Sequence, residues 1–423
     1  MRASILALVA FSGTLSAQTV AITGGRVHTA AGAPMDNATV LIRDGRIAQV
    51  GTNVAIPDGA RRIDATGKWV TPGLINAATQ LGLVEVGAEQ TTRDANARGR
   101  DGIAAAFTPW EGLNTASVLF APARDEGVTT VVISPAGGLI AGQAAVIDLV
   151  QGSMTDMLVR APVAMVSQIG SPGSAGGLGA RGELAVRLRE LLDDTRAYSR
   201  RRADYERAAT RDFSASRLDL EAMIPVVEGR LPLIVLADRA SDIETALRIA
   251  AEYNLRIAIG SGAEAWMVAP KLAAARVPVF TGAMNNIPGG FSSLGSYQEN
   301  AGLLRRAGVE VGIIGDAGIS DGQGFNVRNI KQEAGNAVAY GMSWDDALRA
   351  VTIVPARVLG IADRYGSIEA GKVANVVVWS GDPFEFGTRA EHVFVRGSEI
   401  SAPNRQKMLE QRYRTLPPDY RRP

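Results

Sequence analysis

The pattern of the sequence changes at Lys68-Trp-Val-Thr-Pro-Gly-Leu-Ile-Asn76. Before this stretch, residues 18–69 consist of short runs of β-forming residues, and Asp44-Gly45 between two of them is a strong hairpin signal. After it, apolar runs alternate with helical patterns as far as residue 360. This alternation predicts a parallel α/β fold, and a (β/α)8 barrel of the TIM type has the right size.

Eight apolar runs are candidates for the barrel strands: residues 70–75, 128–133, 144–149, 162–166, 232–237, 256–260, 278–281 and 309–315. The run at 144–149 also fits a hairpin insertion, so the position of the fourth strand stays open. Three helices are predicted from their ends. Ser241-Asp-Ile-Glu244 is a capping box, Ser343-Trp-Asp-Asp346 opens a second helix, and the third runs from Thr352 until Gly360 stops it.

A second β-rich stretch lies near the C-terminus, at residues 375–379, 392–395 and 399–400. Neither β-rich segment is long enough to form a good core by itself. We therefore predict a composite β-sandwich domain built from residues 18–70 and 361–400. The barrel, residues 71–360, is then inserted between its two parts, and residues 401–423 form a C-terminal tail.

The first 17 residues have the pattern of a secretory signal peptide. Arg2 is followed by an apolar run from Ala3 to Phe11, then by small residues up to Ala17. The apolar run is too short to anchor the chain across a bilayer, and no other stretch has the pattern of a membrane span. We expect signal peptide removal and a secreted or periplasmic mature protein.

The composition limits the kinds of site that the chain can build. Its 423 residues include two histidines, His28 and His392, and no cysteine. A zinc site built from imidazole and thiolate needs three or four such ligands, so this chain cannot assemble an ordinary one. Disulfides and thiol nucleophiles are excluded as well. The net charge of +1 argues against a general nucleic-acid binder.

Several stretches together resemble the amidohydrolase superfamily: residues 68–76, 341–360 and 366–379, with 239–243 and 262–266 similar to its imidazolonepropionase-like branch. The resemblance implies a barrel with a zinc-dependent hydrolase site at the C-terminal ends of its strands. Members of this family act on carbon–nitrogen bonds. They resemble one another in a His-x-His on strand 1, a histidine after each of strands 5 and 6, and an aspartate after strand 8.

This sequence departs from the family pattern at the metal positions. The His-x-His positions fall on Ala78 and Gln80, the strand-5 position on Leu236, and the strand-6 position on Ser261. The aspartate after strand 8 is retained as Asp316. We therefore predict no bound metal and no other cofactor, although the family implies zinc.

Asp316 is the candidate catalytic residue, as a general base, and a structural role for the same carboxylate is the competing interpretation. The candidate substrate-binding residues are Asn76, Gln80, Arg239, Ser261 and Asn285. A magnesium or calcium site built from oxygen ligands is a less favoured alternative. Its ligands would come from Asn76, Gln80, Asp238, Glu264, Asp316 and Asp321.

Two functions stay open. The first is an exported, non-catalytic protein of this fold, which acts as the partner of a histidine-complete homologue or as a small-molecule binder. The second is a hydrolase of carbon–nitrogen bonds, other than peptide bonds, in cyclic amides or dipeptide-like substrates, with Asp316 as its base. We expect either a hetero-oligomer with such a homologue or a homo-oligomer, and neither nucleic acid nor a membrane span.

Overall fold

A computed structural model of the protein describes residues 19–97, 99, 102–170, 179–284, 288–315, 324–400 and 405–414. The predicted signal peptide lies outside these ranges. Asn285, Asp316 and Asp321 also lie outside them, so the predictions that rest on these three residues stay predictions.

The strands of the described residues form two eight-stranded sheets. The first sheet contains β1 (Val20–Val27), β2 (Met35–Arg43), β3 (Arg46–Gly51), β4 (Arg61–Asp64), β5 (Trp69–Pro72) and, from the other end of the chain, β14 (Val376–Trp379), β15 (Ala390–Val395) and β16 (Ser398–Glu399). The second contains β6 (Leu74–Thr79), β7 (Val128–Ile133), β8 (Ile140–Asp148), β9 (Leu158–Gln168), β10 (Leu233–Ala237), β11 (Ile257–Ser261), β12 (Val279–Thr281) and β13 (Val311–Ile313).

Both ends of the chain contribute to the first sheet, whose order is β16-β15-β14-β5-β1-β2-β3 with β4 beside β1. The C-terminal strand β14 pairs antiparallel with the N-terminal strand β5. Asp44 and Gly45 both have positive φ, which gives the predicted hairpin turn between β2 and β3. The apolar run predicted at 70–75 divides at Gly73, because β5 belongs to the first sheet and β6 opens the second.

The second sheet is a nearly closed barrel in the order β6 to β13, and each predicted apolar run overlaps one of its strands. Seven strands run parallel, while β8 is antiparallel to both β7 and β9. Only residues 134–139 connect β7 to β8, and a parallel crossover needs a dozen or more residues. The chain therefore returns as a hairpin, β8 is third in the barrel, and β9 is the fourth strand.

The α-helices of the described residues are α1 (Phe120–Asp125), α2 (Met154–Met157), α3 (Arg181–Arg200), α4 (Arg202–Glu206), α5 (Arg217–Val227), α6 (Ala240–Tyr253), α7 (Ala269–Ala275), α8 (Asn300–Arg306), α9 (Ile330–Ala339), α10 (Trp344–Ala350), α11 (Ile353–Val358) and α12 (Arg405–Arg414). None of the described helices is long and apolar enough to cross a membrane. The predicted start of α10 is confirmed, because the Ser343 hydroxyl accepts from the backbone N–H of Asp346. The predicted helix before Gly360 is also present, as α11.

The capping box predicted at 241–244 is wrong, although the helix it announced exists. Helix α6 begins at Ala240, so Ser241 lies inside its first turn. The Ala240 N–H donates to Glu264 Oε2 at 2.9 Å instead. The carboxylate of Glu264, in the loop after the next strand, therefore binds the first backbone N–H of α6. The sequence had predicted that Ser241 would form this cap.

Asp148 joins the first sheet to the barrel at the end of β8. Its buried carboxylate accepts from Thr130 Oγ1 at 2.8 Å, Tyr365 OH at 2.9 Å, Asn375 Nδ2 at 3.0 Å and Arg396 Nε at 2.6 Å. Burial, followed by this carboxylate, raises the pKa of Tyr365. A buried charge with four donors is stable only while its partners stay in place.

We predict that Asp148→Asn lowers the free energy of unfolding by about 3 kcal/mol, because it leaves the Arg396 guanidinium without its carboxylate. This loss of stability is near the lower end of the range for breaking a buried ion pair, because the Arg396 side chain is 35% exposed. Urea unfolding measures the change. The control is Glu228→Gln, which breaks an ion pair with Arg230 on the surface and should cost less than about 1 kcal/mol. Equal effects of the two substitutions would contradict the role of Asp148.

His28 is enclosed by aromatic rings where the first sheet contacts α10. Its ring lies 4.6 Å from Trp69 and 4.4 Å from Trp344, and only 4% of the residue is exposed. Its Nε2 has no hydrogen-bond partner among the described residues. Burial, followed by the charge of Arg26, lowers the pKa of His28 below its ordinary value of 6.5. The folded protein therefore favours the neutral ring.

Stability should fall as the pH drops below about 6.5, because the unfolded chain then binds a proton that folded His28 resists. The loss continues until the pH passes the lowered pKa of the folded state, with a slope of up to about 1.4 kcal/mol per pH unit. Comparing unfolding of the wild type and His28→Leu between pH 5 and 8 isolates this contribution. Parallel pH profiles for the two proteins would show that His28 titrates normally.

Candidate functional site

The predicted site residues within the described part of the chain lie at one end of the barrel. Asn76 and Ala78 are in β6, the first barrel strand, and Gln80 follows it. Leu236 is the penultimate residue of β10 and Ser261 is the last residue of β11. These parallel strands are the first, fifth and sixth of the barrel, so their C-terminal ends share one rim. We call this end the mouth.

Asn76 is buried in the barrel wall and bridges β6 to the chain beyond β13. Its Oδ1 accepts from Ala78 N at 3.4 Å, and its Nδ2 lies 3.5 Å from Val327 O. A Cβ added at Gly315 would lie 2.7 Å from Asn76 Nδ2. Because residue 315 has no side chain, the Asn76 amide fits against it. The Asn76 side chain therefore has a packing role at this position.

The positions that the resemblance assigns to imidazoles include two apolar side chains. Ala78 belongs to the apolar cluster that fills the barrel, and Leu236 packs against the same cluster. The cluster also contains Ile75, Val132, Ala164, Ile234, Ala258, Phe280 and Ile314. The floor of the mouth is therefore hydrocarbon, and Gln80 is a buried polar residue beside it.

Ser261 is tied to Asp238, which follows β10. The Ser261 hydroxyl donates to Asp238 Oδ1 at 2.5 Å, and the Ala263 N–H donates to the same oxygen at 3.2 Å. Burial raises the pKa of Asp238, and the nearby carboxylates of Glu264 and Asp242 raise it further. Ser261 has φ +71°, an uncommon conformation for a residue with a side chain. This strained serine links the fifth and sixth strands.

Glu264 holds two rim loops together. Its Oε2 accepts from Ala240 N at 2.9 Å, at the start of α6, and its Oε1 accepts from Gly295 N at 2.9 Å, in the loop after β12. Both carboxylate oxygens are thus bound by backbone amides. Arg239 lies beside this contact with an exposed side chain, so the structure places it on the rim rather than inside the mouth.

Two further rim contacts were not predictable from the sequence. Arg181 donates to Asp242 Oδ2 at 2.9 Å, to Gly170 O at 3.0 Å and to Ser292 Oγ at 2.8 Å. The buried Glu333 of α9 accepts from Ala283 N at 2.5 Å and Met284 N at 2.7 Å. The partners of Arg181 and Glu333 are far away in sequence, so no local motif marks them.

The atoms of the described mouth that could bind a metal are oxygens. Most of the carboxylates there already accept hydrogen bonds from backbone N–H groups or from a guanidinium. Among the described residues, no three His, Cys, Asp or Glu side chains lie close enough to bind one metal ion. Both histidines belong to the first sheet region: His28 follows β1, and His392 Nδ1 lies 2.6 Å from Glu399 Oε1 in β16. Their positions put both imidazoles away from the mouth.

Comparisons with known proteins find similarity to amidohydrolases. A model described as "Amidohydrolase family" matches residues 240–403. An imidazolonepropionase of Agrobacterium fabrum is 25% identical over 372 residues, which are 82% of this chain and 84% of that protein. The amidohydrolase tasK of Hapsidospora irregularis is 36% identical over 80 residues, 19% of this chain and 8% of that protein. A crystal structure of an amidohydrolase from Thermotoga maritima MSB8 superposes with a TM-score of 0.81 and 28% identity, and the match covers 91% of this chain and 100% of that one.

We predict that Glu264→Gln lowers the free energy of unfolding by about 2 kcal/mol. The Ala240 and Gly295 N–H groups bind different carboxylate oxygens, and glutamine replaces one of these oxygens with an NH2 group that cannot accept a hydrogen bond. Thermal or urea unfolding measures the loss. The matched control is Glu244→Gln, whose carboxylate pairs with Lys271 on the surface of α6 and should matter little. If excess Mg²⁺ or Ca²⁺ stabilised the wild type but not Glu264→Gln, Glu264 would be a metal ligand rather than a structural residue.

Proposed function

We propose that this chain, which belongs to the amidohydrolase superfamily, has no transition-metal centre and binds a small molecule at its barrel mouth without hydrolysing it. The observation that carries the proposal is the position of the two histidines. His28 is packed between Trp69 and Trp344, and His392 pairs with Glu399, both outside the barrel. No other imidazole and no thiolate exists in the sequence.

Zinc does not fit the donor set at the mouth. The family positions for its imidazoles hold Ala78, Gln80, Leu236 and Ser261, and alanine and leucine have no donor atom. Metal-dependent hydrolysis uses the ion to generate hydroxide near neutral pH and to polarise the carbonyl. Without zinc, the side chains of the described mouth offer neither effect. A magnesium or calcium ion bound through oxygen ligands would compete with the backbone N–H groups that already donate to both oxygens of Glu264.

The architecture of the mouth favours binding. Glu264, Glu333 and Arg181 fix the surrounding loops through backbone contacts, and the floor formed with Ala78 and Leu236 is apolar. A preorganised polar rim above an apolar floor is the usual composition of a small-molecule site. Of the predicted contacts, Gln80, Ser261 and Asn285 remain candidates inside the mouth and Arg239 a candidate on its rim, whereas the Asn76 amide is used in packing.

Two features favour further roles. Phe291, Leu294 and Tyr297 expose much of their side chains on the rim loop after β12, which suits docking of a histidine-complete homologue. The likeness to imidazolonepropionase favours the second function, hydrolysis of carbon–nitrogen bonds with Asp316 as base. We also propose export, with cleavage after Ala17, and the N-terminal residue of the protein isolated from its native host tests it.

The test compares binding with turnover in the mature chain that starts at Gln18. We expect cyclic amides such as hydantoin to shift the melting temperature of the wild type, and Leu236→Asn to weaken the shift by disturbing the apolar floor. We expect no product to form, with or without added Zn²⁺ or Mn²⁺.

Metal-dependent turnover that Asp316→Asn abolishes would contradict the proposal and support the hydrolase. Circular dichroism of Leu236→Asn and Asp316→Asn controls for their folding. Association with a histidine-complete homologue during size-exclusion chromatography, in the absence of any ligand shift, would support the partner role over the binding role.

A further inference from the structure

Helix α12 turns an apolar face away from the rest of the protein. Each of its residues is exposed to solvent. Met408, Leu409 and Tyr413 expose 56%, 38% and 59% of their surface, and none of the three packs against an apolar cluster of the described residues. A surface helix normally points its apolar side chains toward the core. The orientation of α12 is therefore the reverse of the usual one.

The polar side of α12 is the side that meets the protein. The spacing of Gln406, Lys407 and Glu410 places them on one face of the helix, and all three line a cavity whose other walls include α1 and α9. Lys407 Nζ lies 3.0 Å from Asp125 Oδ2 in α1. These contacts fix which side of α12 points outward.

Two arginines accompany the apolar side chains on the outward side. Arg405 and Arg412 lie three or four residues from Met408 and Leu409, so they share a face with them and with Tyr413. We call these five residues the outer face. Neither arginine forms an ion pair with a described residue, and the Arg412 guanidinium lies 5.6 Å from the centre of the Tyr413 ring. The outer face therefore combines apolar surface with uncompensated positive charge.

Positive charge is concentrated in this part of the sequence. Residues 405–423 contain six lysines and arginines and two acidic residues, which gives a net charge of +4. The whole chain has a net charge of +1, so residues 1–404 carry a net charge of −3. A negatively charged surface would attract the basic segment and repel the rest of the protein, which turns α12 toward that surface.

A bilayer fits the outer face better than a protein does. A second copy of this chain would place arginines against arginines, which repel each other. An acidic protein is recognised best by guanidinium groups that are held in fixed directions, and no described acid holds Arg405 or Arg412. Lipid head groups offer dense negative charge without fixed positions. Arginine side chains can reach them while their stems stay in apolar surroundings, and tyrosine is enriched at this boundary.

We propose that α12 attaches this protein to the surface of a bilayer that contains anionic phospholipids. Met408, Leu409 and Tyr413 enter the boundary between head groups and acyl chains, and Arg405 and Arg412 bind the phosphates. The ten residues of α12 span about 15 Å, half the hydrocarbon thickness of a bilayer, so the helix lies on the membrane and does not cross it. The outer face contains no residue of the mouth, so this inference goes beyond the proposed function and does not rest on it.

Sedimentation of the mature chain, from Gln18 to Pro423, with lipid vesicles tests the proposal. This chain lacks the predicted signal peptide, whose apolar run would bind lipid by itself. We expect binding to vesicles of phosphatidylglycerol mixed with phosphatidylcholine, and at least about tenfold weaker binding to phosphatidylcholine alone. Raising the salt concentration from about 0.05 M to about 0.5 M should weaken the binding to the mixed vesicles at least about tenfold, because salt screens exposed charges.

Variants of the outer face separate its two contributions. Arg405→Gln combined with Arg412→Gln should weaken binding to the mixed vesicles about thirtyfold, because each charge near the surface strengthens binding about fivefold. Met408→Ser combined with Leu409→Ser should weaken it at least about tenfold, because less apolar surface enters the bilayer.

Each variant has a matched control elsewhere on the protein. Arg43→Gln combined with Arg62→Gln removes two exposed arginines from the first sheet, and Val186→Ser combined with Leu218→Ser removes two exposed apolar side chains from α3 and α5. Both controls should bind the vesicles as the wild type does. Thermal unfolding of each variant verifies its fold.

Equal binding of the wild type to both kinds of vesicle would overturn the proposal, and so would binding to neither. Either variant of the outer face that bound as tightly as its control would also overturn it. A wild type that ignored vesicles but formed a dimer during size-exclusion chromatography, lost on Met408→Ser with Leu409→Ser, would assign the outer face to a second copy of the chain instead.

Discussion

The placement of both imidazoles in the first sheet region, away from the barrel mouth, is the constraint on which the proposed function depends. His28 is stacked on Trp69 and packed against the tilted ring of Trp344, where burial lowers its pKa, and His392 is paired with Glu399. A barrel mouth without imidazole or thiolate has little affinity for a transition metal. The protein shares its barrel architecture with the amidohydrolase of Thermotoga maritima, and we propose that its mouth binds a ligand without metal-dependent hydrolysis.

Carboxylates that could have bound a metal accept hydrogen bonds from backbone N–H groups instead. Glu264 accepts hydrogen bonds from the backbone N–H groups of Ala240 and Gly295. Glu333 accepts them from those of Ala283 and Met284. Asp238 holds the strained Ser261. These bonds connect described segments that follow different barrel strands, without a central ion. Such cross-links lower the entropic cost of ordering a ligand.

The sequence predicted most barrel strands because strands buried on both faces read as continuous apolar runs. The hairpin at Asp44-Gly45 and the start of α10 at Ser343 were also predictable, since a few neighbouring residues determine each of them. The antiparallel direction of β8 was predicted only as one alternative, the hairpin insertion at 144–149, because it depends on the length of a connection whose ends the apolar pattern did not locate. The capping box of α6 failed because Glu264, distant in sequence, binds the Ala240 amide.

The candidate site likewise contains residues that could be predicted from the sequence and contacts that could not. The family resemblance predicted that Asn76, Ala78, Leu236 and Ser261 lie at one end of the barrel, and the structure places them there. The contacts of Arg181 with Asp242 and Ser292 join segments far apart in the chain, so they required the folded arrangement.

The most direct test of this account is elemental analysis of the mature protein after purification without chelators and dialysis against zinc at a low concentration. The account predicts far less than one zinc per chain, and the same value for the Asp316→Asn variant. One tightly held zinc per chain in the wild type, lost in Asp316→Asn, would contradict it, because the mouth would then bind a transition metal without imidazole.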